Sequence, residues 1–202
     1  MKKEEKTNIT RERILSAAMR AFGEAGYAGV SLNALLSENG ISKGLMYHNF
    51  SGKEALYLTC VDRCFRDLVA FLQAQPARDG LSGYLEYRFR YFTEHPMRAR
   101  VFFEAMLRPP EGLEEKIRPL RATMADYNRR IYQETLEKLK LRPGVTPQQA
   151  MEYFEIIQQS FNGCFSSPAY DGKALGEMIA EHEGKLAKIM DFMLYGIAER
   201  QE

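Results

Sequence analysis

The chain has 202 residues, 45% hydrophobic and 27% charged, the balance of an ordinary globular protein, and its length admits one domain or a small domain joined to a larger one. A formal net charge of +1 excludes a global field as the source of any nucleic-acid affinity, which would have to come from local placement. No apolar run approaches the roughly 20 residues of a membrane span, and three cysteines, an odd number, argue against a disulfide framework and for a reducing compartment.

Residues 1–60 carry eight Lys/Arg against six Asp/Glu, a net of +2; the remainder carries 20 against 21, a net of −1. The stretch MKKEEKTNITRER lacks the apolar core of a signal peptide, so a cytoplasmic location is expected. Lys2, Lys3 and Lys6 either form an arm that follows a DNA minor groove or backbone, or act only as a solubilising tail. Ile14, Ala18, Phe22 and Ala25 recur at helical spacing and predict a helix over 11–25, closed by Gly26 as its C′ residue.

Residues 31–57, SLNALLSENGISKGLMYHNFSGKEALY, hold three helix starts in a short span. Ser31, Ser42 and Ser51 each stand at an N-cap position, where a hydroxyl accepts from the orphan amides of a first turn. Each follows an apolar residue (Val30, Ile41, Phe50) matched at N4 by another (Leu35, Met46, Ala55), the staple pairing, and Glu54 completes a capping box with Ser51. Asn39-Gly40-Ile41 turns the chain sharply between the first two helices. Two short helices joined this tightly form a helix-turn-helix, a motif that puts its second helix into a DNA groove.

A long helix over about 52–75 follows, with Leu56, Cys60, Val61, Cys64, Phe65, Leu68 and Leu72 on one stripe, and it is expected to connect a domain over 1–54 to a second over 55–202. Cys60 and Cys64, one turn apart, read either as accessible sensing thiols or as two small buried hydrophobes. Further helices are predicted over 81–95, over 96–107 with Pro96 in the first turn, and over 113–141, where Pro119 marks a kink or the true start. Thr146-Pro147-Gln148-Gln149 is a capping box with Pro at N1, and it opens a helix carrying Phe154, Ile157 and Phe161. After the breaker SSPAYDG, a last helix carries His182, Leu186, Ile189 and Met193. No period-2 run appears, so the fold class is all-α: a three-helix N-terminal helix-turn-helix domain and a C-terminal helical domain.

The stretches TRERILSAAMRAFGEAGY at 10–27, SLNALLSENGISKGLMYHNF at 31–50 and SGKEALY at 51–57 resemble the N-terminal domain of the tetracycline-repressor (TetR) family of bacterial transcriptional regulators. The ordered set Gly26-Tyr27, Gly40-Ile41-Ser42-Lys43-Gly44, Tyr47, Phe50 and Lys53-Glu54 carries the likeness, which covers in detail about the first quarter of the chain. It implies a homodimer, a double-stranded DNA operator as partner and a small-molecule effector in the C-terminal domain.

Under that reading the first turn of the second motif helix meets the groove, exposing Lys43, Leu45 and His48, with Gly44 allowing close approach. Tyr47 and Lys53 meet phosphates, as their family counterparts commonly do. Ser31 and Ser42 either contact phosphate or only cap, and Asn33 reaches a base or a phosphate. Ile41, Met46 and Phe50 belong to the small domain's core. Leu45 departs from the small hydroxyl residue many family members carry there, and leucine offers only apolar contact such as a thymine methyl.

Tyr84, Arg88, Phe92, Phe103, Met106, Met124, Tyr127 and Phe161 are candidates for the effector pocket, with plain core as the alternative. Arg88, His95, Glu104 and Arg121 are candidate polar anchors. Phe154, Ile157, Phe161, His182, Leu186, Ile189 and Met193 form seams on the last two helices that either pair with a second copy or finish the domain's own core. No nucleophile–base pair, phosphate loop or metal-ligand cluster is seen, so neither enzyme activity, nor a cofactor, nor a metal, nor a membrane partner is expected. The function expected is a ligand-responsive homodimeric repressor released from a palindromic operator. Its rival is a helical small-molecule-binding or protein-interaction module without operator binding.

Overall fold

The computed structural model describes residues 3–76 and 80–197, and within them the architecture is all-helical. Lys2 and the side chains of Lys3 and Lys6, the proposed arm, lie outside the described residues. The N-terminal unit comprises α1 (Lys3–Gly29), α2 (Leu32–Glu38) and α3 (Lys43–Asn49). The helix α1 starts eight residues earlier than its apolar periodicity predicts, and Gly26, with φ 69°, breaks its helical path where a C′ residue was expected. Ser31 caps Ala34 N–H (3.4 Å) and Ser42 caps Leu45 N–H (3.2 Å), as the hydroxyl pattern predicts. The staple residues Val30, Leu35, Ile41, Met46 and Phe50 are all buried.

The turn between α2 and α3 is held from inside and outside. Ile41 N–H donates to Leu36 O (2.9 Å), while Arg13 of α1 donates to Asn39 O (2.7 Å) and Arg20 to Asn39 Oδ1 (3.2 Å). Arg11 reaches Asn49 O (3.2 Å) and lies over the Phe50 ring at 4.4 Å. The basic residues of α1 therefore serve as struts for the motif.

Helix α4 (Lys53–Gln73) buries Leu56, Tyr57, Cys60, Val61, Cys64, Phe65, Leu68 and Leu72. The capping box expected at Ser51 does not form. Gly52 occupies the N-cap with no side-chain bond, and Glu54 instead pairs with Lys116, a partner 62 residues away. Cys60 and Cys64 are buried, with Cys64 Sγ 3.6 Å from Met19 Sδ. Burial pushes the Cys60 thiol up to about 12 and Cys64 well above its ordinary value, so both behave as protonated core groups.

The C-terminal unit continues with α5 (Gly80–Glu94), α6 (Pro96–Leu107), α7 (Glu114–Ile117), a 3₁₀ turn (Arg118–Arg121), α8 (Ala122–Leu136), α9 (Pro147–Cys164), a second 3₁₀ turn (Pro168–Tyr170) and α10 (Leu175–Ile197). The single helix predicted over 113–141 is thus three pieces, because Pro119 lacks the N–H that would continue α7 and tightens the chain into the 3₁₀ turn. Thr146 and Gln149 form the predicted capping box on α9. Among the described residues no helix is long and apolar enough to cross a membrane.

The two units meet through α6. Gly23 of α1 sits so close to Met97 that a Cβ there would lie 2.8 Å from its backbone, so the helices touch main chain to main chain. Two turns further along α6, the Glu104 carboxylate accepts from Tyr27 N–H (3.0 Å) and from Tyr57 O–H (2.8 Å).

Candidate recognition face and effector cavity

The helix-turn-helix leaves seven of its candidate DNA-contact residues exposed. Ser31, Asn33, Ser42, Lys43, Gly44, Tyr47 and His48 are exposed together on α2, α3 and the turn before α3, and Tyr47 is a large ring that is 57% exposed. A Cβ added to Gly44 would meet nothing within 4 Å, so no packing inside the protein demands a glycine there. A mid-helix glycine costs roughly 1 kcal/mol against alanine. Lys53 is half-buried with its Nζ 4.6 Å from the Tyr27 ring centre, which tethers the lysine beside the same face. Leu45 departs from the expected exposure: it is half-buried and packs against the core cluster, so only part of it faces outward.

The C-terminal unit encloses a cavity of about 480 Å³ between α5, α6, α8, α9 and α10. Of the pocket candidates, Tyr84, Arg88, Phe103, Met106, Met124 and Phe161 line it. Phe92 does not; it is buried in a ring cluster with Phe102 and Phe103, at 5.0 and 4.9 Å between centres. Tyr127 does not either, and lines a second, smaller cavity of about 370 Å³. Both sit on the expected helices, but a few tens of degrees of rotation about the axis separates pocket wall from core, and periodicity does not resolve that.

The seam residues of the last two helices also turn inward. Phe154, Phe161, His182, Leu186 and Met193 are buried within the protomer, and together with Ile157 and Ile189 they line the cavity. Within the protomer these stripes pack around the cavity, which accounts for their apolar spacing without a second copy.

A buried polar network crosses the wall. Arg88 is 5% exposed and grips Glu183 with two nitrogens, Nε to Oε2 at 3.1 Å and Nη2 to Oε1 at 3.0 Å. Burial works against both charges, but their proximity outweighs it, raising the arginine pKa and lowering that of Glu183. His182 is 3% exposed, its Nδ1 3.0 Å from Glu183 Oε1 and its Nε2 3.0 Å from Asn162 Oδ1. The rings of Phe103, Phe161 and Phe165 surround it. Burial lowers its pKa against the pull of Glu183, so the ring is neutral near pH 7.

Tyr84 O–H donates to Asn128 Oδ1 at 3.0 Å. Glu183, Asn162 and Asn128 escaped the sequence analysis, since nothing in spacing marks which polar residue of an amphipathic helix turns inward. Of the four candidate anchors, Arg88 and Arg121 line the cavity, Glu104 faces the N-terminal unit, and His95 is the N-cap of α6.

Residues 14–60 match the model of bacterial regulatory proteins of the tetR family. The uncharacterized HTH-type transcriptional regulator YerO of Bacillus subtilis is 30% identical over 95 residues, 44% of this chain, which spans only 33% of YerO's length. The HTH-type transcriptional repressor AcnR of Corynebacterium glutamicum is 23% identical over 184 residues, 91% of this chain and 96% of AcnR. Among solved structures, the fatty acid degradation regulator FadR from Bacillus halodurans has the same fold, with a TM-score of 0.66 over 95% of this chain and 97% of its own at 17% identity. The helix-turn-helix segment thus matches the tetR family of bacterial regulatory proteins over residues 14–60, and the whole chain shares the all-helical fold of FadR.

Proposed function

We propose that the protein is a homodimeric transcriptional repressor of the cytoplasm that leaves a palindromic operator when a small, largely apolar molecule fills the C-terminal cavity. The observation that carries this reading is the double role of α6. Phe103 and Met106 form part of the cavity wall, while Glu104 between them holds Tyr27 N–H of the N-terminal unit and Tyr57 O–H of α4. A ligand that shifts α6 must disturb the seating of α1 and α4, and with it the distance between two reading heads. By linkage, operator and effector then weaken each other's binding by the same factor.

The exposed face of α3 supports a seat in the major groove, with Lys43 and His48 at base edges, Tyr47 and Lys53 at phosphates, and Gly44 letting the helix approach. Ser31 and Ser42 are occupied as caps, and Asn33 is exposed one turn into α2. The second copy is best received by the outward faces of α9 and α10, where Tyr153, Ile156, Phe192 and Tyr195 are 50–75% exposed. Four large apolar residues bared on two terminal helices that pack together form the kind of patch a monomer rarely keeps. Gel-shift titration against DNA upstream of the protein's own coding region tests the reading. Saturable binding that survives competitor DNA is expected, and no binding to any upstream fragment overturns it.

A further inference from the structure

The charges that line the cavity are matched except at one point. Arg88 is held by Glu183, and Arg129 by Glu155 (2.8 Å) and Asp126 (3.2 Å). His182 is kept neutral by burial. Arg121, where the 3₁₀ turn enters α8, has no carboxylate within ion-pair reach among the described residues. Its Nη2 donates to Ala105 O on α6, and its Nε is buried with no acceptor in the protein. The charge that acts on it is a like one, Arg118, and burial together with that repulsion lowers the Arg121 pKa. A half-buried cation with an orphaned donor and no counter-ion is costly to keep. Its place on the cavity wall, where the other charges are matched, supplies a reason for keeping it.

We infer that the effector is an amphipathic monoanion, one carboxylate on an apolar body, whose head docks on Arg121 and whose body lies against Phe103, Met124, Phe154 and Met193. The inference rests on the effector-cavity reading and adds the chemical class. One unmatched positive charge calls for one negative charge, because a dianion would leave a surplus charge in a low-dielectric site and a neutral ligand would leave Arg121 bare. A planar guanidinium suits a carboxylate, as Arg88 demonstrates with Glu183.

The docking point is also well placed to be felt elsewhere. Arg121 bonds α6, and Lys116, one turn before the 3₁₀ turn, pairs with Glu54 at the start of α4. A head group on Arg121 therefore pulls on a segment tied to both helices that seat the N-terminal unit.

Isothermal titration of the full-length protein with matched sets of decanoate, decanol and decylamine, and of 4-butylbenzoate and 4-butylbenzyl alcohol, tests the class. In at least one set the acid should bind saturably, at one per protomer and tenfold or more tighter than its alcohol. Arg121→Gln should abolish that preference while leaving the alcohol's affinity unchanged, and Arg121→Lys should retain part of it. Circular dichroism of both variants checks that the fold is intact. Equal binding of acid and alcohol, a preference for the amine, or an acid preference that persists in Arg121→Gln overturns the carboxylate and leaves an apolar effector cavity standing. If no compound of either set binds, the effector reading falls as well.

Discussion

Glu104 of α6 and Tyr57 of α4 face each other, carboxylate to hydroxyl at 2.8 Å, and the same carboxylate accepts from the Tyr27 amide of the N-terminal unit at 3.0 Å. Tyr57 is fully buried, and both its burial and the adjacent Glu104 charge raise its pKa, so the phenol remains a donor at any working pH. Removing one partner from such a pair leaves the other unsatisfied in a dry place, at a cost of about 1–3 kcal/mol. Glu104→Ala should therefore destabilise by more than Tyr57→Phe, since it strands two donors where the latter strands none. Denaturant unfolding of both single variants and the double variant should give a coupling energy of at least about 0.5 kcal/mol. Additive effects would show that the contact does not couple α4 to α6 energetically.

Gly26 is where the chain leaves α1 with φ 69°, and a Cβ there would lie 2.8 Å from Glu104 Oε1. Gly26→Ala meets both a left-handed backbone penalty of roughly 1 kcal/mol and a clash with the clamp. It should lower the melting temperature and also weaken operator binding. Gly44→Ala, with open space around it, should stabilise the free protein slightly while weakening DNA binding. Measuring melting and gel shifts on the two variants side by side separates a glycine kept for the fold from one kept for the partner.

Under the proposed function, the DNA contacts should divide by their dependence on salt. Lys53→Ala should reduce the slope of log affinity against log salt by about one unit and weaken all sequences alike. It should also cost about 0.5–1 kcal/mol of stability from the lost contact with the Tyr27 ring. Tyr47→Phe should weaken binding without changing the slope, whereas Lys43→Ala should cost about 1–3 kcal/mol with altered base preference. Unchanged affinity in all three would remove α3 from the groove.

His182 sets a pH dependence of stability. Burial holds its pKa below the ordinary 6.5, so below that pH the unfolded chain takes up a proton that the folded protein refuses. The contribution is fully present above about pH 6.5, is lost as the pH falls from there through the folded value, and changes no further below it. His182→Gln should flatten this part of the curve. Chemical unfolding of wild type and variant between pH 8 and 5 gives the difference, and parallel curves would mean the ring is charged in the folded state.

Assembly tests the outward face. Phe192→Glu and Tyr153→Glu introduce charge at positions 75% and 58% exposed, so each protomer should stay folded while the dimer dissociates. Phe161→Glu buries an unpaired carboxylate beside His182 and should instead unfold the domain, at a cost of several kcal/mol. Sedimentation and circular dichroism on the same samples distinguish the outcomes. A dimer that survives both surface changes would move the interface elsewhere.

The N-terminal domain was legible from the order of residues because its determinants are local. The hydroxyls of Ser31 and Ser42, the staples and the Asn39-Gly40 turn act within a few residues, and the structure reproduces each of them. Thr146 and Gln149 on α9 are legible for the same reason. What failed depended on partners far along the chain. Glu54 gave up its local capping box for Lys116, and the α9 and α10 stripes faced the protomer's own cavity. An apolar stripe records that a face is covered but not what covers it, so Phe161 and His182 carried no mark distinguishing dimer seam from pocket wall. The pairing of Arg88 with Glu183, the clamp of Glu104 on Tyr27 and Tyr57, and the unmatched Arg121 join residues 16 to 95 positions apart. Contacts at such separations exist only once the helices have chosen their neighbours, and tertiary packing alone makes that choice.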